Sequence, residues 1–447
     1  MKMVKMSLIA VMALGSSVFA VDNVKMNGDA KLWYQTSEFS GPAAGTGAGS
    51  QSEQTFFNKD ANSVAEVKLS VGATADLMKN LSVGVKGTAL STLGLENNLV
   101  GAIPAAKFDN SGASVATQLD DQSWVEEAYL AYTMDKTTAK VGRQALNTPL
   151  AFSEDWNIVS NTFEAAVLLN NDLPNTTLVG AWVGKHNGVG LLAPAGRNST
   201  VAHGGKFSTF GTDGAYAFAA VNSSLPNTTV QVWYYNVPSI ADAYWLQADT
   251  KIMDTINVGV QYAGMIPKLS QGTVVAAGYP AGAENLDAVK KDSNVLAIKA
   301  AMDLSGFNVY AAYSTVSSGT LGFSNVATGD KSSVYTSLGS VYMDGEIAAA
   351  PDTDAWKVGA STKLIPGVVL STSYASAKTG ANTDALAAVA RASTLNTDFT
   401  AWDVVAKTKA GPVDLTAIYT QFDKNVKATD TTDKTTDTFR VIAALKF

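Results

Sequence analysis

The stretch that decides the fold is residues 436–447, TDTFRVIAALKF. Its polarity alternates with a period of two, which is the side-chain period of a β-strand. Phe439, Val441 and Leu445 fall on one face of such a strand, and Arg440 falls on the other. Strands of outer-membrane β-barrels have an apolar face toward lipid and a polar face toward the lumen. We therefore interpret this stretch, which ends in phenylalanine, as the strand that closes a barrel.

The same alternation recurs along the whole chain, with apolar residues on one face and Lys, Asp, Glu, Ser or Thr on the other. Clear examples are residues 24–35, 65–74, 81–89, 356–364 and 402–409. Eight short connections alternate with nine on the other side, eight of them long and one, near 237–239, tight. This count predicts an all-β fold, a transmembrane antiparallel β-barrel of about 18 strands, with 16 as the alternative. Short periplasmic turns and long external loops are the usual asymmetry of such barrels.

Composition agrees with a barrel whose apolar residues are spread thinly. Hydrophobic residues make up 46% of the chain and the mean hydropathy is +0.07, yet after residue 20 no apolar run is long enough for a transmembrane helix. Aromatic residues near the strand ends predict girdles at the two bilayer interfaces. These aromatic residues include Trp33, Tyr34, Trp124, Tyr132, Trp233, Tyr234, Tyr244 and Trp245.

An export signal is predicted at residues 1–20, followed by a single barrel domain at 21–447. Lys2 and Lys5 precede a short apolar stretch, and small residues at 18–20 offer a cleavage site, as in secretory signal peptides. The alternative is a retained N-terminal anchor. The chain has no cysteine, which excludes disulfides, thiol catalysis and thiolate metal sites.

Residues 140–165, KVGRQALNTPLAFSEDWNIVSNTFEA, contain a G-R-Q, a proline a few residues later, acidic and polar residues, and T-F-E. This pattern resembles the outer membrane porin D family. The length of the mature chain and the style of its N-terminal sequence are also similar to those of the major outer-membrane porins of epsilonproteobacteria-like Gram-negative bacteria. The resemblance implies an 18-stranded barrel in the bacterial outer membrane that passes small hydrophilic solutes. It also implies that the third external loop, about 146–161, folds into the lumen and narrows it.

Two sets of residues are candidates for the lumen. The predicted pore constriction consists of Arg143, Glu154, Asp155 and Asn157. There, Arg143 would face the two acids across the lumen and create a transverse field; the alternative is a salt bridge that holds the loop to the wall. The charged residues predicted on the lumen-facing wall are Lys25, Asp29, Lys31, Glu66, Lys68, Lys86, Lys357 and Lys363.

Arginine is scarce in this chain. Carboxylate-selective members of the porin D family line the pore with an arginine ladder, whereas this chain has only Arg143, Arg197, Arg391 and Arg440. The net charge of −7 favours a mild cation preference and gives no basic stripe for nucleic acid.

The sequence therefore predicts a porin, with passive diffusion of solutes and ions, no catalytic residues, no cofactor and no metal. The expected partners are outer-membrane lipids, lipopolysaccharide, small solutes and two further copies in a homotrimer. One alternative is an outer-membrane phospholipase or protease, which would use His186 or His203 with Ser199 and Asp213 nearby in sequence. A surface adhesin or structural protein is the other.

Overall fold

The structure is a computed structural model that describes residues 22–40, 55–58, 63–105, 121–189, 200–211, 213–238, 240–253, 255–268, 290–340, 345–381, 396–427 and 434–447. In this part of the chain, eighteen long strands form one closed antiparallel sheet, as predicted. The predicted signal peptide, together with Arg197, Ser199 and Arg391, lies outside the described residues.

The strands follow the chain in order around the barrel. They are β1 Asp22–Ser40, β2 Ser63–Met78, β3 Leu81–Ser91, β4 Gln122–Met134, β5 Thr137–Gln144, β6 Phe163–Asn170, β7 Thr176–His186, β8 Ala215–Asn222, β9 Thr228–Val237, β10 Ala241–Ile252, β11 Ile256–Pro267, β12 Ser293–Leu304, β13 Phe307–Val316, β14 Thr353–Thr362, β15 Val368–Thr379, β16 Thr397–Ala410, β17 Val413–Val426 and β18 Lys434–Lys446. A two-residue strand, Ser208–Thr209, continues the sheet beside the end of β7.

The sheet closes because β1 pairs with both β2 and β18. Leu32 is opposite Val67 on one side and Ala443 on the other. The terminal Phe447 exchanges two backbone hydrogen bonds with Gly28, of 2.7 and 3.0 Å. Closure gives the described long strands a neighbour on both sides, which a sheet in lipid requires because the bilayer core offers no hydrogen-bonding partner.

The eight short connections lie at one end of the barrel, where the sequence predicted them. Several turn on a left-handed asparagine or aspartate, such as Asn80 with φ 70° and Asp135 with φ 52°. The sequence LPNTT occurs twice in these turns and folds the same way each time. Asn175 and Asn227 have φ of 51° and 54°, and the next threonine donates its hydroxyl hydrogen bond to the preceding proline carbonyl at 3.0 Å in both copies. Asparagine tolerates this conformation better than most residues.

The outer face of the barrel is apolar and exposed, as a lipid-facing surface must be. Typical members are Leu32, Leu130, Val141, Leu168, Val232, Leu246, Leu296 and Trp356. The girdle prediction is wrong for four tryptophans. Trp33, Trp233 and Trp245 each adjoin one of these residues in sequence and point inward, so that Trp33 and Trp245 are fully buried. Trp124 packs against the inner cluster that contains Trp33 and Leu90. Neighbouring strand residues point to opposite faces, and the tyrosine beside each of Trp33, Trp233 and Trp245 lies on the outer face instead.

Helical structure is short throughout the described ranges. It consists of the four-residue α-helix Gly345–Ala348 and the 3₁₀ turns Leu95–Asn97 and His203–Gly205. Nowhere in those ranges does a helix have the length and apolar character needed to cross a membrane.

Candidate functional site

External loop 3, residues 145–162, lies inside the barrel against the inner face of β1 to β3. Its Ile158 and Val159 are buried and pack with Trp33 and Leu90 from that wall. The Lys31 ammonium on β1 donates a hydrogen bond to the backbone carbonyl of Asn157 at 3.1 Å. An apolar contact and a charged contact thus hold the same segment of loop 3 to the wall.

Arg440 is a buried polar anchor of loop 3, with 1% of its surface exposed. Its guanidinium donates to the Gln35 side-chain oxygen at 2.6 and 3.0 Å and to the Trp156 carbonyl of loop 3 at 3.1 Å. It also lies over the rings of Trp33 and Trp156, at 4.6 and 5.6 Å from their centres. Arg440 therefore joins β18, β1 and loop 3 through one planar group, a geometry that lysine cannot reproduce.

Glu154 joins loop 3 to external loop 7, residues 317–352. Glu154 is 3% exposed. Its Oε1 accepts hydrogen bonds from the Asn325 amide at 2.8 Å, the Thr328 hydroxyl at 2.5 Å and the Lys331 backbone N–H at 3.2 Å. Its Oε2 accepts one from the Trp156 indole at 2.6 Å. Four donors converge on this charge, which is how a buried carboxylate is stabilised.

Three hydrogen bonds from loop 7 to backbone carbonyls of loop 3 continue the junction between the two loops. The Val326 N–H donates to the Leu150 carbonyl at 2.9 Å, and the Asn325 amide donates to the Phe152 carbonyl at 2.8 Å. The Ser333 hydroxyl donates to the Pro149 carbonyl at 2.8 Å. Loops 3 and 7 therefore form one connected body inside the barrel.

Loop 7 is fastened to the wall along β10 to β16. The Lys357 ammonium on β14 donates to the carbonyls of Ser337 and Leu338 at 2.7 and 2.8 Å. The buried Asp403 on β16 accepts hydrogen bonds from the backbone N–H and hydroxyl of Ser340 at 2.8 and 3.0 Å. These contacts tie the far end of loop 7 to a part of the wall remote from the one that holds loop 3.

Tyr335 provides a further anchor for loop 7. Its hydroxyl donates to Asp249 of β10 at 3.0 Å, and the Lys299 ammonium lies 4.1 Å from its ring centre. Burial, and then the negative charge of Asp249, raise the pKa of the Tyr335 hydroxyl. The hydroxyl consequently remains a hydrogen-bond donor at any physiological pH.

A mixed row of charges lines the inner wall of β1 to β4 beside loop 3. The Lys68 ammonium lies 2.6 Å from the Asp29 carboxylate, and Lys86 lies 3.7 Å from Asp29 and 3.0 Å from Glu126. Positive and negative groups alternate here, so this part of the wall carries no single sign of charge.

The remaining predicted residues take different positions. Glu66 is buried and accepts a hydrogen bond from the Ala105 N–H of loop 2. Lys25 is exposed toward the short-turn end of β1, and Lys363 lies in the exposed turn after β14 rather than on its strand. Asp155 is exposed, unlike its neighbour Glu154, and its charge acts on Lys31.

Arg143 does not face Glu154 or Asp155. It shares a strand face with the exposed Val141, two residues away, and its Nε donates to Glu164 of β6 at 3.0 Å. The adjoining Phe163 and Ala165 are the residues that point inward, where they pack with Ala327 of loop 7. Arg143 therefore lies on the outer face of the barrel.

The G-R-Q and T-F-E segments meet at the point where loop 3 leaves and rejoins the wall. Arg143 pairs with Glu164, and the Gln144 amide donates to the Ala165 carbonyl at 3.0 Å. Gly142 has φ 129°, and a Cβ there would come 2.2 Å from the Ala128 carbonyl oxygen. Only glycine fits this close approach. The sequence pattern therefore marks the two points where loop 3 joins the barrel wall.

The two histidines considered for catalysis lie at the external rim. His186 ends β7, is buried, and packs edge-on against Phe210 at 5.4 Å between ring centres. His203 begins a 3₁₀ turn. Within the described ranges, no cluster of three or more His, Asp or Glu side chains is arranged to hold a metal ion.

Sequence reasoning missed several residues that organise this interior. Asn325 and Thr328 carried no signal, because they lie in an irregular loop and their partners are far away in the chain, whereas the alternation of residues 402–409 put Asp403 on the polar face of its strand without indicating its partner. Arg440 carried one: the alternation of residues 436–447 already placed this long cation on the inner face of the closing strand.

Solved structures with the same architecture come from Pseudomonas aeruginosa. OpdK with vanillate has a TM-score of 0.66 at 13% identity, covering 95% of this chain and 99% of that one. OccK8 (OprE) has a TM-score of 0.67 at 13% identity, covering 95% and 98%. OccD3 (OpdP) has 0.61 at 12%, covering 96% and 92%.

No protein-family model matches the sequence, and no curated protein does either. At this level of identity the structural likeness establishes the fold. The apolar outer face and the closed sheet make the chain a transmembrane barrel. It shares its 18-stranded fold with the Occ outer-membrane porins of P. aeruginosa, and a closed barrel with an apolar outer band is the architecture of outer-membrane proteins.

Proposed function

We propose that the protein is a porin, a water-filled channel for passive diffusion of small hydrophilic solutes and ions. A barrel of eighteen strands encloses more space than side chains fill. The observation that carries the proposal is the body formed by loops 3 and 7, joined at Glu154 inside that space. Loop 3 and loop 7 together narrow the lumen, and the solute passes between this body and the wall.

We further propose that the channel does not select for carboxylates. Within the described residues, Arg440 is buried under Trp156 and Arg143 lies on the outer face. The described lumen therefore exposes no arginine ladder. Asp155 is exposed on loop 3 and its charge acts on Lys31 of the β1 wall, and small solutes of either charge are the substrates that this mixed lining fits.

The ion preference of the channel should depend on Asp155. A unit charge a few ångströms from an ion in water interacts with it by about 1 kcal/mol, so Asp155→Asn should lower the cation-to-anion permeability ratio by up to about fivefold. The measurement is the reversal potential under a salt gradient in planar bilayers. Lys363→Gln, in an exposed turn, is the control and should leave the ratio unchanged. An equal shift of the reversal potential in both variants, or no shift in Asp155→Asn, would show that Asp155 does not lie at the constriction.

We also propose that residues 1–20 are removed on export and that the mature barrel assembles as a homotrimer. Of the residues considered for an enzyme, His186 is buried against Phe210 and Ser199 lies outside the described ranges. N-terminal sequencing and native mass measurement of the protein purified from membranes test both points: a retained leader or a monomeric mass would reject them.

A further inference from the structure

Three charged side chains lie together on the outer face of the barrel, at the external ends of β5, β6 and β7. Arg143 Nε is 3.0 Å from Glu164 Oε1, and Lys185 Nζ is 3.2 Å from Glu164 Oε2. The three residues are register partners across the three strands. We call Arg143, Glu164 and Lys185 the outer ionic cluster. It has no part in the channel, because the wall separates it from the lumen.

The depth of the outer ionic cluster follows from Trp182. Trp182 lies on the same outer face, opposite Ala166, one pleat nearer the membrane centre than the pair of Glu164 and Lys185. Trp182 is 43% exposed, and its indole N–H donates to the Asp213 carbonyl at 3.3 Å. Exposed tryptophans of this kind mark the bilayer interface. The cluster therefore lies at the level of the lipid headgroups of the outer leaflet.

The outer ionic cluster has two cations for one carboxylate. The Arg143 side chain is 33% exposed and that of Lys185 is 47% exposed. Arg143 is held rigidly, since its Nη1 donates to the Val125 carbonyl at 3.2 Å and its guanidinium lies 4.3 Å from the centre of the Phe207 ring. Glu164 thus orients two positive groups and neutralises one of them, and the excess charge faces the headgroup region.

A cavity of about 510 Å³ opens beside the outer ionic cluster. Val125, Ala128, Val141 and Trp182 line it along with Arg143 and Glu164. The apolar floor of this cavity suits the acyl chains of a lipid. Its cationic rim suits the anionic headgroup of the same lipid. On a surface that faces the bilayer, lipid is the ligand that can reach such a cavity.

We propose that the outer ionic cluster and this cavity form a binding site for a phosphorylated lipid of the outer leaflet. The phosphate would accept hydrogen bonds from Lys185 and from the Arg143 guanidinium, which has the planar fork suited to phosphate. Glu164 is a positioning residue that fixes both cations. Basic pockets at membrane interfaces bind lipid headgroups by the same attraction.

The test is native mass spectrometry of the full barrel with diphosphorylated lipid A as the probe. The wild-type protein should retain the lipid, and Arg143→Gln and Lys185→Gln should each weaken binding about fivefold, as expected for one interfacial cation. Glu164→Gln should instead strengthen binding, because it removes the only negative charge of the cluster. This opposite change in lipid binding distinguishes a lipid site from a structural ion pair, for which all three variants would change lipid binding in the same direction.

A matched control is available at the external end of β16 and β17, where Lys427 pairs with Asp398 at 3.0 Å. Lys427→Gln should not change lipid binding. Single-channel conductance should stay unchanged in all four variants, which verifies folding and keeps this proposal separate from the channel. Equal binding of dephosphorylated lipid A, or unaltered binding in Arg143→Gln and Lys185→Gln, would overturn the proposal. So would a change in oligomeric state without a change in lipid binding, which would assign this face to a second copy of the chain.

Discussion

Replacing Glu154 by glutamine is expected to raise the single-channel conductance and make the open-channel current noisier. An amide has one acceptor oxygen, whereas donors occupy both oxygens of Glu154. In either orientation the amide N–H₂ group would face a donor, from Trp156 or from loop 7. Each buried donor left without an acceptor costs about 1–3 kcal/mol, so the junction between loops 3 and 7 should loosen. Glu154→Ala should have the larger effect, since all four donors lose their acceptor.

The control for Glu154 is its neighbour. Asp155 is exposed, so Asp155→Asn should alter ion preference without adding noise to the open-channel current. The pair of variants thereby separates a residue that builds the narrowing from a residue that lines it. A Glu154→Gln channel with wild-type conductance and wild-type noise would contradict the proposal that the two loops act as one body.

Replacing Arg440 by methionine is expected to destabilise the barrel and to loosen the proposed narrowing of the lumen at loop 3. Methionine fills much of the same space but leaves the Gln35 side-chain oxygen and the Trp156 carbonyl without their donor. Each buried unsatisfied acceptor costs about 1–3 kcal/mol, and the stacking on Trp33 is lost as well. The folded band on a heat-modified gel should therefore disappear at a lower temperature, and the conductance should rise because loop 3 is released from the wall.

Two comparisons sharpen the Arg440 experiment. Arg440→Lys keeps the charge without the planar fork and should give an intermediate result. Lys446→Met changes a cation on the same face of the same strand that is exposed, and it should leave both readouts unchanged. Arg440→Met with the melting behaviour and conductance of Lys446→Met would rule out Arg440 as the anchor of loop 3.

Strands, turns and loop lengths were predictable because each depends on residues close together in the chain. The period of two fixed which face of β1 and β18 meets lipid, and asparagines such as Asn175 marked the turns. Arg143 shows how a motif can mislead. The G-R-Q pattern suggested a pore residue, but the exposed Val141 two positions earlier assigns Arg143 to the outer face by the same alternation that predicted the barrel.

The junction of loops 3 and 7 was beyond such reasoning. Glu154 and Asn325 are separated by 171 residues, and irregular loops have no periodicity from which a hydrogen-bond partner could be predicted. Glu154 and Asp155 are adjacent acids in the sequence, and only the folded structure distinguishes the buried one from the exposed one. The partner of Asp403, which is Ser340 of loop 7, was likewise not predictable from the sequence.

The most direct test of the channel uses the absence of cysteine from this chain, because a single introduced thiol then reports only its own position. The measurement is the single-channel conductance of Asp155→Cys in a planar bilayer before and after a bulky, water-soluble thiol reagent. Stable conductance steps that shrink when the thiol is modified are expected. A folded and inserted protein without steps, or steps that keep their size after complete modification, would contradict a water-filled pore narrowed at loop 3.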